Sequence, residues 1–328
     1  MSVDVDALVD RRRLRRKVTF WRIVTFAVIA LALIGGLLYV SGASELSKRT
    51  AHVARIPIEG VILEDRDTLK MIEKIGKSDA VKGVVVSINS PGGSTTGGEA
   101  IYEALRALAE KKPVVAEIRT VGTSAGYMVA LAADHIVARY NTITGSIGVL
   151  FQYGNISKLM ETVGVEMDAV KSAPLKAEPD FYSETSPEAR AMLQTLVNAS
   201  YDWFVGLVAD RRELDPAKAR QLADGRILTG HDALSEKLID AIGGEDTAIQ
   251  WLESEKGVKE DLPVVTWTAK ENLEELPFSA RLSREFGKGV GSALLDPLND
   301  AKGLIPRGLT LDGLVSVWQA SGAADKNR

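Results

Sequence analysis

The chain has 328 residues, no cysteine, 45% hydrophobic residues and a formal net charge of −4. Without cysteine there is no disulfide framework, no thiol chemistry and no cysteine-based metal site. The first 22 residues carry +4, which leaves −8 for residues 23–328 and argues against nucleic acid as a partner.

That basic start comes from Arg11, Arg12, Arg13, Arg15, Arg16, Lys17 and Arg22. An uncharged apolar run follows over 23–40, interrupted only by Thr25 and the Gly35-Gly36 pair. As a helix it would rise about 27 Å, close to the hydrocarbon thickness of a bilayer. Basic flanks stay cytoplasmic, so residues 1–22 are expected inside, 23–40 as a transmembrane anchor and the remainder on the outer face. The basic cluster also suits contact with anionic membrane lipid. A cleavable signal peptide is the rival, because Ser41-Gly42-Ala43 offers small residues at the right spacing. Its apolar region would exceed the usual length of about 7–15 residues, which favours an uncleaved anchor.

After a polar linker over 41–50, Val53–Ile58 and Val84–Ile88 read as core strands with apolar residues on both faces. Asn89-Ser-Pro-Gly-Gly93 reads as a tight turn with bare N–H groups. Glu99–Lys111 places Ile101, Ala104, Leu105 and Leu108 on one helical face, a core stripe. Strands alternating with helices predict an α/β domain. Next come a strand over Pro113–Ile118 and a small-residue helix over Ala125–Ala133, joined by Val121-Gly-Thr-Ser-Ala-Gly-Tyr-Met128. Ser124 stands between two glycines on that corner, where a hydroxyl is expected to be sterically open and the following N–H points at an attacked carbonyl. Two ordinary glycine turns are the bland alternative.

A serine hydroxyl needs a base. His52 lies in the linker, His135 beside a short apolar strand and His231 at a helix start, and none stands in a run that suggests catalysis. An α/β-hydrolase order would have to end on His231, an unattractive choice. A lysine serves if it loses its proton near neutral pH, which requires distance from water and anions. Residues 165–171 alternate like a strand and Ala173-Pro-Leu175 then leads into Lys176, so Lys171 and Lys176 are both candidates on chemistry alone. Beyond them, Ser186-Pro-Glu starts a long helix to about Arg212, with Tyr201, Trp203 and Phe204 as packing residues. The Gly243-Gly244 turn precedes a helix over Asp246–Glu255, Pro263–Thr268 suggests a strand, and Leu309–Ala320 suggests an amphipathic helix. Gly92-Gly93 lacks the Gly-Lys-Ser/Thr of a phosphate loop.

Six ordered motifs carry a family resemblance: Ile56-Pro-Ile-Glu-Gly60, Asn89-Ser-Pro-Gly-Gly93, Gly122-Thr-Ser-Ala-Gly-Tyr127, Thr144-Gly-Ser-Ile-Gly-Val149, Lys171-Ser-Ala-Pro-Leu-Lys176 and Gly225-Arg-Ile-Leu-Thr-Gly230 with Leu238-Ile-Asp-Ala-Ile-Gly-Gly244. Over roughly residues 51–250 the chain resembles the short, single-unit form of the bacterial signal peptide peptidase A family, membrane-bound serine proteases with a Ser–Lys dyad. The resemblance implies a Clp protease/crotonase-like α/β fold over 51–258, with no cofactor and no metal. It assigns Ser124 as nucleophile and Lys176 as general base. Gly93, beside Gly92, and Ala125 would supply the oxyanion-hole N–H groups, and Ser146 the hydroxyl that orients the amine. Two departures stand out: Lys176 is followed by Ala177 and Glu178 where the family has Asp or Ser, and the serine turn reads Thr-Ser-Ala-Gly-Tyr rather than Ala-Ser-Gly-Gly-Tyr. Neither removes a chemical group, so Lys176 stays ahead of Lys171.

The same motifs resemble the Clp protease proteolytic subunit, whose Ser-His-Asp set finds no histidine in the matching stretch here. Crotonases would place no nucleophilic serine on the turn. The implied activity is a membrane-anchored serine endopeptidase at the outer face of the bacterial cytoplasmic membrane, acting on cleaved signal peptides or other apolar peptides. Longer relatives carry two units with the dyad divided between them, so this single unit is expected to form a homo-oligomeric ring that shares the dyad. A membrane scaffold with a vestigial serine and a crotonase-like acyl-CoA enzyme are the alternatives. Residues 259–328 form an extension without an assigned role.

Overall fold

A computed structural model describes residue 17 and residues 19–29, 47–269 and 315–317. The chain divides into two units, Met1–His52 and Val53–Arg328. In the first, residues 19–29 are helical and expose Phe20, Trp21, Ile23 and Phe26. No helix among the described residues is long and apolar enough to cross a membrane. Residues 30–40 of the expected anchor and residues 1–16 of the basic segment lie outside the described residues.

The second unit is a mixed α/β sheet. In chain order it contains β1 (His52–Ile62, entered from the first unit), α1 (Arg66–Lys77), β2 (Val81–Ser94), α2 (Thr95–Ala109), β3 (Val114–Thr123), α3 (Ala125–Ala130), β4 (His135–Ala138) and β5 (Ile143–Gly145). There follow α4 (Ser157–Thr162), α5 (Pro187–Arg211), α6 (Pro216–Leu222), β6 (Ile227–Thr229), α7 (Gly230–Ser235), β7 (Ala241–Ile242), α8 (Glu245–Lys256), β8 (Val264–Thr266) and β9 (Val315–Val317). The main path runs β6-β5-β3-β2-β1-β8, with β4 beside β3 and β7, and β9 beside β2. Parallel β2 and β3 pair from Val84 opposite Val114 to Ile88 opposite Ile118.

The period of two along each strand sorts the core onto two faces. Ala54, Ile56, Val84, Val86, Val114, Ala116 and Ile136 join the large cluster with residues of α1, α2, α3 and α5. Val53, Val85, Val115 and Val137 join the smaller cluster under α8, with Ala248 and Leu252. Covered faces on both sides explain why these strands read as unbroken apolar runs rather than alternating ones.

The long helix starts as the sequence predicts: Ser186 Oγ accepts from Ala189 N at 3.1 Å, and Pro187 occupies the first turn, where its missing N–H costs nothing. On α5, Phe204 is fully buried and Tyr201 partly, but Trp203 is 39% exposed, so it is not the packing residue expected. Three other expectations change. Asn89–Gly93 is not a tight turn but the end of β2. Residues 165–171 form no strand. Within the expected helix over 309–320, residues 315–317 are a strand, antiparallel to β2 with Ser316 opposite Gly93, and the rest lies outside the described residues.

Candidate active site

Two strand ends bring the glycine-rich runs together. Past Ile88 the β2–β3 register shifts, so that Ser90 lies opposite Gly122. Thr123 Oγ1 donates to Pro91 O at 3.0 Å, tying the residue before Ser124 to the Pro-Gly-Gly run. Gly92 has φ +116° and its N–H donates to Ser90 Oγ at 3.1 Å. Gly93 admits no side chain, because a Cβ there would lie 1.8 Å from Ile62 O. The end of β1 thus presses on the residue expected to supply an oxyanion donor, and glycine is a steric requirement before it is a catalytic one.

Ser124 caps α3 with φ +59° and ψ −119°, a conformation that side-chain-bearing residues rarely adopt. Its N–H donates to Gly145 O and its carbonyl accepts from Met128 N, both at 2.9 Å. These bonds hold the strand-to-helix corner in its unusual geometry, which leaves Ala125 as the first helical residue. A Cβ on Gly126 would come 2.9 Å from Ser90 O, so the second glycine of Gly122-Thr-Ser-Ala-Gly126 lets the helix approach β2. Contrary to the expectation from the sequence, the corner is not open. Ser124 is only 1% exposed, because α2, β2 and β3 pack around α3.

Ser146 follows the glycine whose carbonyl holds the Ser124 N–H. It has φ +50°, and its own N–H donates to Arg226 O at 2.7 Å, anchoring β5 to the chain entering β6. Ser124, Ala125, Gly92, Gly93 and Ser146 therefore gather at one end of the sheet. Lys176 stands apart from that bonding pattern. It lies on an arm over 150–185 that is irregular apart from the short α4, is exposed, and its amine makes no hydrogen bond or ion pair among the described residues.

The competing bases have other occupations. Lys171 Nζ donates to Glu178 Oε1 at 2.7 Å and to Asp180 Oδ2 at 3.2 Å. Chiefly the Glu178 hydrogen bond, with Asp180 adding to it, raises the Lys171 pKa and keeps that amine a cation. His135 stacks on Trp251 at 4.7 Å and His231 on Tyr140 at 4.6 Å, both aromatic packing positions. The Lys171 ion-pair cluster escaped the sequence reading. Its only trace was the acidic pair Glu178 and Asp180 shortly after the lysines.

A polar cavity of about 530 Å³ opens on the other face of the sheet, lined by Arg55, Ser87, Glu117, Arg139 and Glu245 among others. Four of these stand one pleat beyond the valines under α8, where the helix ends and the face turns polar. Arg55 pairs with Glu245, and Ser87 Oγ donates to the buried Glu117 at 3.1 Å. The cavity takes no residue from the serine corner.

The family model for peptidase family S49 matches residues 106–259, and that for Clp protease matches residues 63–148. A Synechocystis sp. relative named as a candidate protease is 39% identical over 212 residues, covering 64% of this chain and 76% of the relative. A candidate signal peptide peptidase of Enterococcus faecium is 32% identical over 242 residues, 66% of this chain and 69% of that one. The chloroplastic serine protease SPPA of Arabidopsis thaliana is 31% identical over 240 residues, 72% of this chain but 34% of its own longer one. With its glycine-lined serine corner on a Clp-like α/β sheet, the chain belongs to peptidase family S49 and is a serine protease.

Proposed function

We propose that the protein is a membrane-anchored endopeptidase in which Ser124 is the nucleophile and Lys176, supplied by a neighbouring subunit, is the general base. Ser124 Oγ adds to the peptide carbonyl while its proton passes to the neutral Lys176 amine. The tetrahedral oxyanion receives the N–H groups of Gly93 and Ala125, a contribution of about 3–4 kcal/mol per well-aimed donor. Lys176 then gives its proton to the leaving amine, and water hydrolyses the acyl-Ser124 ester by the same route in reverse. Ser146 orients the amine.

The observation that carries this reading is the Ser124 backbone, φ +59° at the start of α3 beside Gly92-Gly93. Strain of this kind gathers where a side chain must be presented. Sharing between subunits is supported by the arm. Leu159, Val163, Val165, Met167, Val170 and Phe181 are all exposed on it, and Lys176 lies among them. An apolar surface of this extent marks an interaction site. Docked on a second copy it would bury these side chains and give the lysine the dry surroundings in which its amine is neutral.

Peptide binding follows from the end of β2. Gly92–Ser94 pairs antiparallel with β9, and an extended substrate peptide would take the place of β9 on that ladder. Substrates are apolar peptides of the cleaved signal peptide kind. The run over 23–40 serves as the anchor, with residues 1–22 cytoplasmic, 41–50 a linker and the protease domain over 51–258 on the outer face. The exposed apolar side chains of the helix over 19–29 suit a lipid environment. Treatment with a fluorophosphonate and peptide mapping tests the nucleophile. Modification should fall on Ser124 alone, and Ser124→Ala should lose both labelling and hydrolysis. A labelled residue elsewhere, or hydrolysis by pure Ser124→Ala, would overturn the assignment, and absence of any labelling would favour a scaffold with a vestigial site.

A further inference from the structure

The arm that carries Lys176 has a closed neck. Lys171 Nζ reaches across to Glu178 Oε1 and Asp180 Oδ2, so residues 172–177 form a loop shut by an ion-pair clasp. Inside it, Lys176 N donates to Ala173 O at 3.0 Å. The far side of the neck is pinned as well. Asp180 Oδ1 accepts from Tyr182 N, Ser183 N and Ser183 Oγ, at 3.2, 2.7 and 2.8 Å. Ile156 N donates to Phe181 O at 2.8 Å, and Asn155 Nδ2 to Ser183 O at 2.6 Å. The clasp groups are largely covered, with side-chain exposures of 22% for Lys171, 11% for Glu178 and 7% for Asp180.

Two carboxylates therefore stand within four residues of Lys176, and both are turned onto another cation. A carboxylate near a lysine favours its charged form, and a base must be uncharged. Among the described residues Glu178 Oε2 is buried without a hydrogen-bond partner, an acceptor two residues from Lys176 that no donor has taken. The other charged groups of the arm are Lys158, Glu161, Glu166, Asp168 and Glu184, and none of them pairs with Lys176 among the described residues.

We propose that Lys171 is a positioning residue: it draws Glu178 and Asp180 into ion pairs with itself, offsets one of their two negative charges, closes the loop that presents Lys176, and so leaves the Lys176 amine without a counter-ion. This rests on the Ser124–Lys176 dyad. A lysine that never titrates in the working range is suited to the task, because the clasp stays shut while the base cycles. The Glu178 hydrogen bond holds Lys171 in its cationic form.

The test is kcat against pH on an apolar fluorogenic peptide, with the full chain in detergent. Four variants are compared: Lys171→Met, Lys171→Arg, Glu178→Gln/Asp180→Asn, and the triple combination. Lys171→Met should move the rising limb to higher pH by about one pH unit and recover most of the plateau rate. Lys171→Arg should leave the limb in place. Glu178→Gln/Asp180→Asn, which keeps the cation and removes the anions, should move it to lower pH, and the triple variant, uncharged at the clasp, should bring it back part of the way toward the parent. Should Lys171→Met not fold, the carboxylate double variant alone decides the matter. A plateau lowered at every pH with the limb unmoved would make Lys171 a structural staple and overturn the proposal, as would a double variant with the parental limb. Lys176→Met separates the two readings: if it stays active, the dyad assignment fails whatever Lys171 does.

Discussion

Gly93 shows how packing and chemistry compete for one residue. The proposed mechanism uses its backbone as a hydrogen-bond donor to an oxyanion, but the tighter constraint is Ile62, whose carbonyl oxygen would be 1.8 Å from any Cβ. Gly93→Ala should therefore destabilise the domain by about 1–3 kcal/mol, as overpacking does, and also reduce hydrolysis as the strand end shifts from Ser124. Chemical denaturation with a parallel assay checks both. An unchanged midpoint would contradict the steric reading, and full activity in a destabilised variant would remove the Gly93 N–H from the oxyanion hole. Ser124 was legible as a residue from its glycine neighbours, but its burial was not, because that follows from α2, β2 and β3 closing around a corner built from distant residues.

At the scale of elements, continuous apolar runs located β1, β2 and β3, and the Ser186-Pro187 start located α5 within a residue. Those signals are local: strand burial on both faces and a cap bonded to its own first turn. The end of β2 was misread because Pro-Gly-Gly ordinarily turns a chain. Here the chain stays in the strand through Gly92-Gly93, since β1 and β9, the latter more than two hundred residues away, supply contacts that no local window contains. The reading of 165–171 as a strand failed for the opposite reason, since alternation without a neighbouring strand forms no ladder. The packing of α8 leads to a pH prediction. His135, at the start of β4, stacks on Trp251, and its pKa is lowered, chiefly by burial and against the opposing pull of Asp240. The unfolded chain therefore takes up a proton near its ordinary value of 6.5 before the folded one does. Its contribution to stability is present above that pH and is lost as the pH falls through the lower folded value. Urea midpoints should decline on acidification from about pH 6.5 to 5, and His135→Gln should flatten that decline. Equal slopes in both proteins would assign the acid sensitivity to other groups.

For the whole molecule, the separation between a well-bonded serine corner and an exposed lysine arm is the feature that shapes the account. One sheet end gathers Ser124, Gly92, Gly93, Ala125 and Ser146, with Ser124 and Ser146 held by backbone bonds, whereas Lys176 rides on an arm with its apolar side chains turned outward. A head-to-tail ring would satisfy both, since each arm would find its cover on the next subunit and each serine its base. Complementation between two inactive proteins tests this most directly. Ser124→Ala and Lys176→Met, each inert alone, are mixed under conditions in which subunits exchange, and peptide hydrolysis is followed. A shared dyad joins an intact serine to an intact lysine at about a quarter of randomly formed interfaces, so activity should return to that order. If exchange is demonstrated by a mass or fluorescence label and no activity returns, every site is built within one chain, and the shared dyad is contradicted.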